Sequence, residues 1–382
     1  MTRRVAFAIA AMTVSQVAVY VARPMTSYRL LGVGAGAGAV GLVSSSFALL
    51  PLVLAIPLGR YTDRRRLPLV TIGCGLQIVA CGLLAVLESA FALGAASALL
   101  GLGHLGVALG VQEAIARDSA ATHHDRHFGL LTAGVALGQL LGPLLGGVVV
   151  GHAAGSALVG ASTRALAIAA VVAVVATALA LVSELDGGEA VVAPQTRGSV
   201  RGILALPGVP TGMFASVAVL AAADVYTAYM PVLGAEHGIA PAVVGVLLAL
   251  RAGASVTARL GIGWLVLRIG RSRLIALSAL AAAVGFAAMT GTSRVVLLGA
   301  LTLVIGAGLG YGQPLSMTLV VQRVPAHARA TALAVRLTGN RVGQVAAPAA
   351  AAVVAGNAGA GAVFWMLSGL LALTAVALGR EG

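Results

Sequence analysis

Gly59-Arg60-Tyr61-Thr62-Asp63-Arg64-Arg65-Arg66 closes a long apolar run, and an altered form returns 204 positions later as Gly263-Trp264-Leu265-Val266-Leu267-Arg268-Ile269-Gly270-Arg271. Each copy ends a hydrophobic stretch with a basic cluster. Such a cluster, repeated at about half the chain length, reads as two similar membrane-embedded halves joined head to tail.

Composition agrees with that reading. Of 382 residues, 59% are hydrophobic and 9% charged, with a mean hydropathy of +1.03. A soluble globule of this size needs more polar surface than that. A bilayer core of roughly 30 Å takes about 20 apolar residues per helix, and twelve such runs can be laid out along the chain. They are Val5–Tyr20 (with room to continue to Ser27), Gly36–Pro57, Leu69–Leu87, Phe91–Ile115, Phe128–Val150 and Ala165–Val182, then Thr211–Leu233, Ala240–Leu267, Leu274–Thr290, Val295–Val321, Ala330–Ala355 and Ala360–Leu378. The expected fold is an all-α integral membrane protein with 12 transmembrane helices in two pseudo-symmetric six-helix halves. Met1-Thr2-Arg3-Arg4 resembles the start of a signal peptide, but no small-residue cleavage site follows, so the first span is expected to be retained.

A net charge of +13 would suggest a nucleic-acid partner in a soluble protein. Here all 24 basic residues are Arg, and their positions give another reason. With the N-terminus inside, sixteen fall in cytoplasmic segments, four in external ones (Arg23, Arg29, Arg164, Arg294) and four within spans (Arg251, Arg259, Arg336, Arg341). This is the positive-inside bias. It predicts both termini in the cytoplasm of a multi-pass protein of the cell (inner) membrane, with no nucleic-acid partner. Cys74 and Cys81 read as small apolar fillers, and no metal-ligand spacing or disulfide framework is present.

The polar segment Ser183 to Pro210, rich in Gly, Pro and charge, reads as a cytoplasmic linker. The domains are therefore residues 1–182, a linker 183–210, and residues 211–382. A second repeat supports the division: Gly134, Gly138-Gln139 and Pro143 match Gly339, Gly343-Gln344 and Pro348 at an offset of 205.

With these residues in place, the chain resembles the major facilitator superfamily over essentially its whole length. Gly59, Asp63 and Arg64 fit that family's signature loop between the second and third helices, although the loop glycine is absent. The second copy keeps Gly263, Arg268, Gly270 and Arg271 but has Leu267 where the Asp would stand. Gly134, Gly138, Gly142, Pro143, Gly146 and Gly147 resemble the fifth-helix motif of the 12-helix drug:proton antiporter branch. Two features depart from the pattern: Ser97 stands where the fourth-helix Arg is expected, and the first helix carries no Asp. The resemblance implies a conformational latch at Gly59, Asp63, Arg64, Gly263 and Arg268, with Glu113, Arg117 or Asp118 as charge partners of the first copy. The alternative is that these arginines only set topology.

Glycines spaced by four let a neighbouring backbone approach closely. The fifth-span row is expected to cross the eighth span at Gly245, Ala249, Gly253, Thr257 and Gly261, at the interface between halves. Ionisable groups inside a bilayer are costly and face a cavity or a partner. By these spans the third, sixth, ninth and twelfth helices hold none, which matches the outer scaffold of the family. The candidate substrate cavity takes Gln16, Tyr20 and Arg23 from one face of the first helix, and His104 and Gln112 from the fourth. It further takes Asp224, Tyr226 and Tyr229 from the seventh, Arg251 from the eighth, Tyr311 and Gln313 from the tenth, and Arg336 and Asn340 from the eleventh. Asp224 and Arg251 are placed to form an ion pair; unpaired in a cavity, Asp224 would be free to carry a proton. His104 is the second proton-coupling candidate, because the unperturbed pKa of a histidine lies near neutrality. Each of these residues has a plainer reading as hydrogen-bonding glue between helices.

The leading expectation is a secondary transporter working by alternating access, exporting small amphipathic compounds in exchange for protons. The alternative is a carrier of organic anions, because Arg23, Arg251 and Arg336 outnumber the one clear intramembrane carboxylate. A receptor or membrane enzyme is remote, since no HExxH, Gly-x-Ser-x-Gly or His-carboxylate cluster occurs. The partners expected are a small-molecule substrate, protons and the lipid bilayer, for a functional monomer with no cofactor and no metal.

Overall fold

The computed structural model describes residues 2–62, 68–118, 124–184, 200–325 and 328–380. Every regular element among them is a helix: α1 (Arg3–Gly32), α2 (Ala37–Thr62), α3 (Leu69–Val86), α4 (Ala90–Asp118), α5 (His124–Val150), α6 (Ala157–Glu184), α7 (Val200–Leu204), α8 (Val209–Glu236), α9 (Pro241–Leu260), α10 (Ile262–Ile269), α11 (Arg271–Met289), α12 (Val295–Arg323) and α13 (Arg329–Gly379). Eleven are long and apolar enough to cross a bilayer. The last holds two spans, because Gly359 leaves the helical conformation with φ 76° and ψ 177°, a region open essentially to glycine alone. The Glu236 carboxylate then accepts from the Ala360 N–H at 3.1 Å, capping the second limb. Twelve spans result.

Two boundaries differ from the sequence expectation. The first span runs to Gly32 with Pro24 inside it, so Arg23 and Arg29 belong to the helix and not to an external loop. Arg29 is fully buried: its Nε donates to the Leu87 carbonyl at the end of α3 at 2.5 Å and its Nη1 to Thr163 Oγ1 on α6 at 2.7 Å. Thr163 in turn donates to the Ala85 carbonyl at 3.0 Å. The guanidinium thus satisfies the last carbonyls of α3, which lets a charged residue extend an apolar helix. The eighth span is not continuous either, since α9 and α10 meet at Gly261. Arg164 also lies within a helix, on an exposed face of α6.

The helices form two contact units. One takes α1–α6 with Ala240–Ala249, the first half of α9; the other takes α7, α8, the rest of α9 from Leu250, and α10–α13. In the first unit α1 lies against α5 and α6, while α3 packs on α4 and α6. Val5, Ala8, Met12, Cys74, Val107, Ile115 and Ala176 form its apolar core. In the second, α8 and α11 pack on α13, and α12 on α8 and α11.

The glycine row of α5 has a different main partner from the expected one. A methyl group at Gly134, Gly138 or Gly142 would run into Thr13, Gln16 or Tyr20 of α1, the last at 2.7 Å from Tyr20 Cβ. Gly146 faces Met25 of the same helix. Only the end of the row meets α9, where a Cβ on Gly147 would lie 3.0 Å from the Gly245 Cα, inside the first unit. In the second unit, Gly343 on α13 faces Val217 of α8, the repeat of the α5 to α1 contact. Spacing by four establishes a face, and the chain topology supplies the partner.

Overpacking a close crossing of this kind costs about 1–3 kcal/mol. Gly142→Leu is expected to lower the apparent melting temperature of the purified protein by several degrees, whereas Gly75→Leu on α3, with nothing within 4 Å of its Cβ direction, should not. Equal melting temperatures for the two variants would contradict this packing.

Candidate functional site

Each unit builds its own polar cluster. In the first, the Gln16 Nε2 of α1 lies 3.3 Å from His104 Nδ1 on α4 and 3.7 Å from Met12 Sδ. The Gln16 Oε1 is buried without a hydrogen-bond partner. Further along α1, Tyr20 OH accepts from Gln139 Nε2 of α5 at 3.1 Å, a reach made short by the glycines on either side of Gln139. Phe47 of α2 lies 5.8 Å from the His104 ring, and the Arg23 guanidinium sits over Phe47 at 4.9 Å and Tyr20 at 5.9 Å. The structure thus brings Gln16, Tyr20, Arg23 and His104 together, whereas Gln112 is exposed further along α4.

Prolines shape both clusters by freeing carbonyls four residues back. Pro51 frees that of Phe47, and Gly101 of α4 has no side chain to keep α4 away from it. In the second unit Pro314 frees the Gly310 carbonyl, and Arg259 Nε donates to that oxygen at 3.2 Å.

The second cluster is dominated by charge. Arg336 Nη2 donates to the Gln313 carbonyl at 2.9 Å, to Gln313 Oε1 at 2.8 Å and to Ser316 Oγ at 3.3 Å. Gln313 Nε2 returns a bond to the Ser216 carbonyl at 2.7 Å, and Ser216 Oγ donates to Asn340 Oδ1 at 2.9 Å. One turn beyond Asn340, Gln344 accepts from Arg341 Nη1 at 3.0 Å and donates to Asp224 Oδ2 at 2.7 Å. The expected bridge between Asp224 and Arg251 is not found among the described residues. Arg251 lies instead over the Tyr226 ring at 5.8 Å, its Nε buried and unpartnered.

Three expected cavity residues take packing positions. Tyr226 is fully buried in an aromatic triangle with Phe286 and Phe364, its hydroxyl 3.1 Å from Thr302 Oγ1. Tyr229 is also fully buried. Tyr311, two residues from Gln313, points away from it and packs against the apolar cluster of Leu274, Ile275, Leu315 and Leu319, because a separation of two puts side chains on opposed helix faces. At the loops, Glu113 pairs with Arg117 one turn along α4, and Arg268 stacks on Trp264 at 4.1 Å. Gly59 ends up in α2 and Gly263 in α10, while Asp63 and Arg64 lie outside the described residues. Residues that sequence reasoning did not single out include Ser216, two turns before Asp224, and Phe47, one of many apolar residues.

A family model described as Major Facilitator Superfamily matches residues 5–207 and 212–380. The chain belongs to the major facilitator superfamily. Membership makes it a secondary transporter of small organic molecules that works by alternating access, and not an enzyme. Among curated proteins none matches it by sequence. Solved structures of like fold include the nucleoside transporter NupG (16% identity, TM-score 0.74, covering 100% of this chain and 99% of that one). A bacterial homologue of the human lysosomal transporter Spinster gives 15% and 0.73, covering 100% and 96%. A POT family transporter in complex with 5-aminolevulinic acid gives 12% and 0.77, covering 98% and 95%. At these identities the likeness is one of fold.

Gln313 is the hub of this transporter's second cluster, so losing its side chain takes Oε1 from the Arg336 guanidinium and Nε2 from the Ser216 carbonyl. A hydrogen bond to a charged group contributes about 1.5–3 kcal/mol. Gln313→Leu should therefore melt well below the parent protein, and the double variant Gln313→Leu/Arg336→Leu should recover part of the loss. Additive losses in the double-mutant cycle would show that the two residues are independent.

Proposed function

We propose that this transporter carries small organic anions, by uptake or exchange, with Arg251 and Arg336 as the cationic groups of its second unit. The observation that carries the reading is the charge balance there: Arg251, Arg259, Arg336 and Arg341 stand inside the spans against the single carboxylate of Asp224. Arg259, Arg336 and Arg341 spend donors on neutral oxygens, while Arg251 Nε has no partner. A cation left uncompensated in a low-dielectric interior costs several kcal/mol, and an arriving anion offsets that cost. That a transporter of the same fold binds 5-aminolevulinic acid supports a small polar substrate class.

Export of amphipathic compounds in the manner of the drug:proton antiporters is the weaker reading. It rests on the α5 glycine row, and that row serves contacts to α1, a role that carries no direction of transport. Proton linkage we assign to His104 and Asp224. Protonation of His104 at Nδ1 would turn that atom into a donor, and a flip of the Gln16 amide would present the unpartnered Oε1 to it. Membership of the latch falls to the Gly59, Asp63 and Arg64 loop, since Arg268 of the second copy is stacked on Trp264. The positive-inside bias supports cytoplasmic termini in the cell (inner) membrane, and we take the transporter to act as a monomer.

Flux into proteoliposomes under an imposed pH gradient tests this. Organic acids should be transported in preference to cationic dyes. Arg251→Gln should weaken apparent affinity for the acids by at least about 30-fold, the factor for the roughly 2 kcal/mol lost when a buried charge partner is removed. Asp224→Asn and His104→Ala should blunt the response to the gradient. Preference for the cationic dyes would overturn the anion reading, and an unchanged gradient response in both variants would overturn proton linkage through these residues.

A further inference from the structure

The short helix α10 (Ile262–Ile269) has two apolar faces, and the protein covers only one. Ile262, Leu265, Val266 and Ile269 pack against the cluster of Leu274, Ile275, Leu315 and Leu319. On the other side Trp264 is 57% exposed, Leu267 89%, and Leu260 just before the helix 85%. At the end of this bare face the chain turns at Gly270 (φ 80°) into α11, which begins with no side-chain cap on its first N–H groups. Arg268, Arg271 and Arg273 surround that turn, and the sequence holds no Asp or Glu anywhere from residue 238 to residue 289. Arg271 donates to Gln322 Oε1, whereas Arg268 and Arg273 are exposed and make no hydrogen bond to protein among the described residues.

We infer that this surface binds one anionic phospholipid, with its acyl chains against Leu260, Trp264 and Leu267 and its headgroup phosphate at Arg268, Arg273 and the uncapped start of α11. Three features fit that occupant together. The apolar face wants hydrocarbon. The Trp264 ring is of the kind that settles at the level of the headgroups, and its stacking at 4.1 Å fixes the Arg268 guanidinium at that same level. The concentrated positive charge and the free N–H groups of a helix start select a negative headgroup over a zwitterionic one. The Leu267 that replaces an acid in this copy of the loop thereby gains a role: it is part of a lipid-facing surface. Arg268 acts through the ring and the lipid, and not through a charge pair with protein.

The test is lipid retention measured by native mass spectrometry of the purified full-length protein, titrated with phosphatidylglycerol and, separately, with phosphatidylcholine. The parent protein is expected to hold one phosphatidylglycerol more tightly than any phosphatidylcholine. Arg268→Ala/Arg273→Ala should weaken that binding about 30-fold, the fold-change for about 1 kcal/mol per arginine near a membrane surface. Arg201→Ala/Arg380→Ala removes the same charge from two other exposed arginines and should leave it within about two-fold. Trp264→Ala should weaken it less than the double arginine variant does. All four residues substituted for alanine in the two arginine pairs are at the surface, and a monodisperse elution profile confirms that each variant folds. Retention unchanged in Arg268→Ala/Arg273→Ala, an equal loss in Arg201→Ala/Arg380→Ala, or equal retention of the two lipids by the parent would each overturn the inference.

Discussion

A bilayer core supplies no hydrogen bonds, so guanidiniums and released carbonyls inside a span turn to partners in protein or to a cavity. This one constraint arranges most of what is polar in the chain. Pro314 withdraws an N–H and Arg259 takes the Gly310 carbonyl it leaves. Arg29 closes the end of α3 and, through Thr163, ties α1, α3 and α6 together. Arg336 draws the backbone and side chain of Gln313, and through them Ser216 and Asn340, into a single network. Charges that would break these helices are placed where helix ends and prolines have already left oxygens open.

The two halves repeat a scaffold and diverge in chemistry. Both set a glycine-bearing helix against the first membrane span of their unit, Gly138 against Gln16 of α1 and Gly343 against Val217 of α8. The contact side chain is polar in one and apolar in the other. The first unit gathers a histidine, an amide and aromatic rings around a single arginine. In the second, Arg336 and Arg259 bond to α12, Arg251 lies over Tyr226, and Arg341 reaches the Asp224 carboxylate through Gln344. The repeat is thus preserved in packing but not in charge.

Much of the fold was legible in hydropathy alone, because length and apolarity are what a span requires. The misread ends had physical causes. Arg23, Pro24 and Arg29 look like a loop until α3 and α6 supply partners that a single-helix reading cannot see. The row from Gly134 to Gly146 marks a close contact, yet a face does not name its neighbour, and α1 took the place expected of α9. The polar residues of α1, α4, α12 and α13 were legible as stripes, and Gln16, His104, Gln313, Arg336 and Asn340 do form networks. Tyr226 and Tyr311 were misplaced because a tyrosine is mostly ring and packs as one. Ser216 was hidden, since a small hydroxyl flanked by Ala215 and Val217 in an apolar stretch gives no periodic signal.

The central claim is that the excess of buried arginine in the second unit exists to be met by a substrate's negative charge. Ligand-induced thermal stabilisation tests it most directly, using small organic acids paired with their neutral amides of the same shape. The account predicts that acids raise the melting temperature where their amides do not, and that Arg251→Gln abolishes the difference. Equal stabilisation by acid and amide, or a difference that survives in Arg251→Gln, would contradict it.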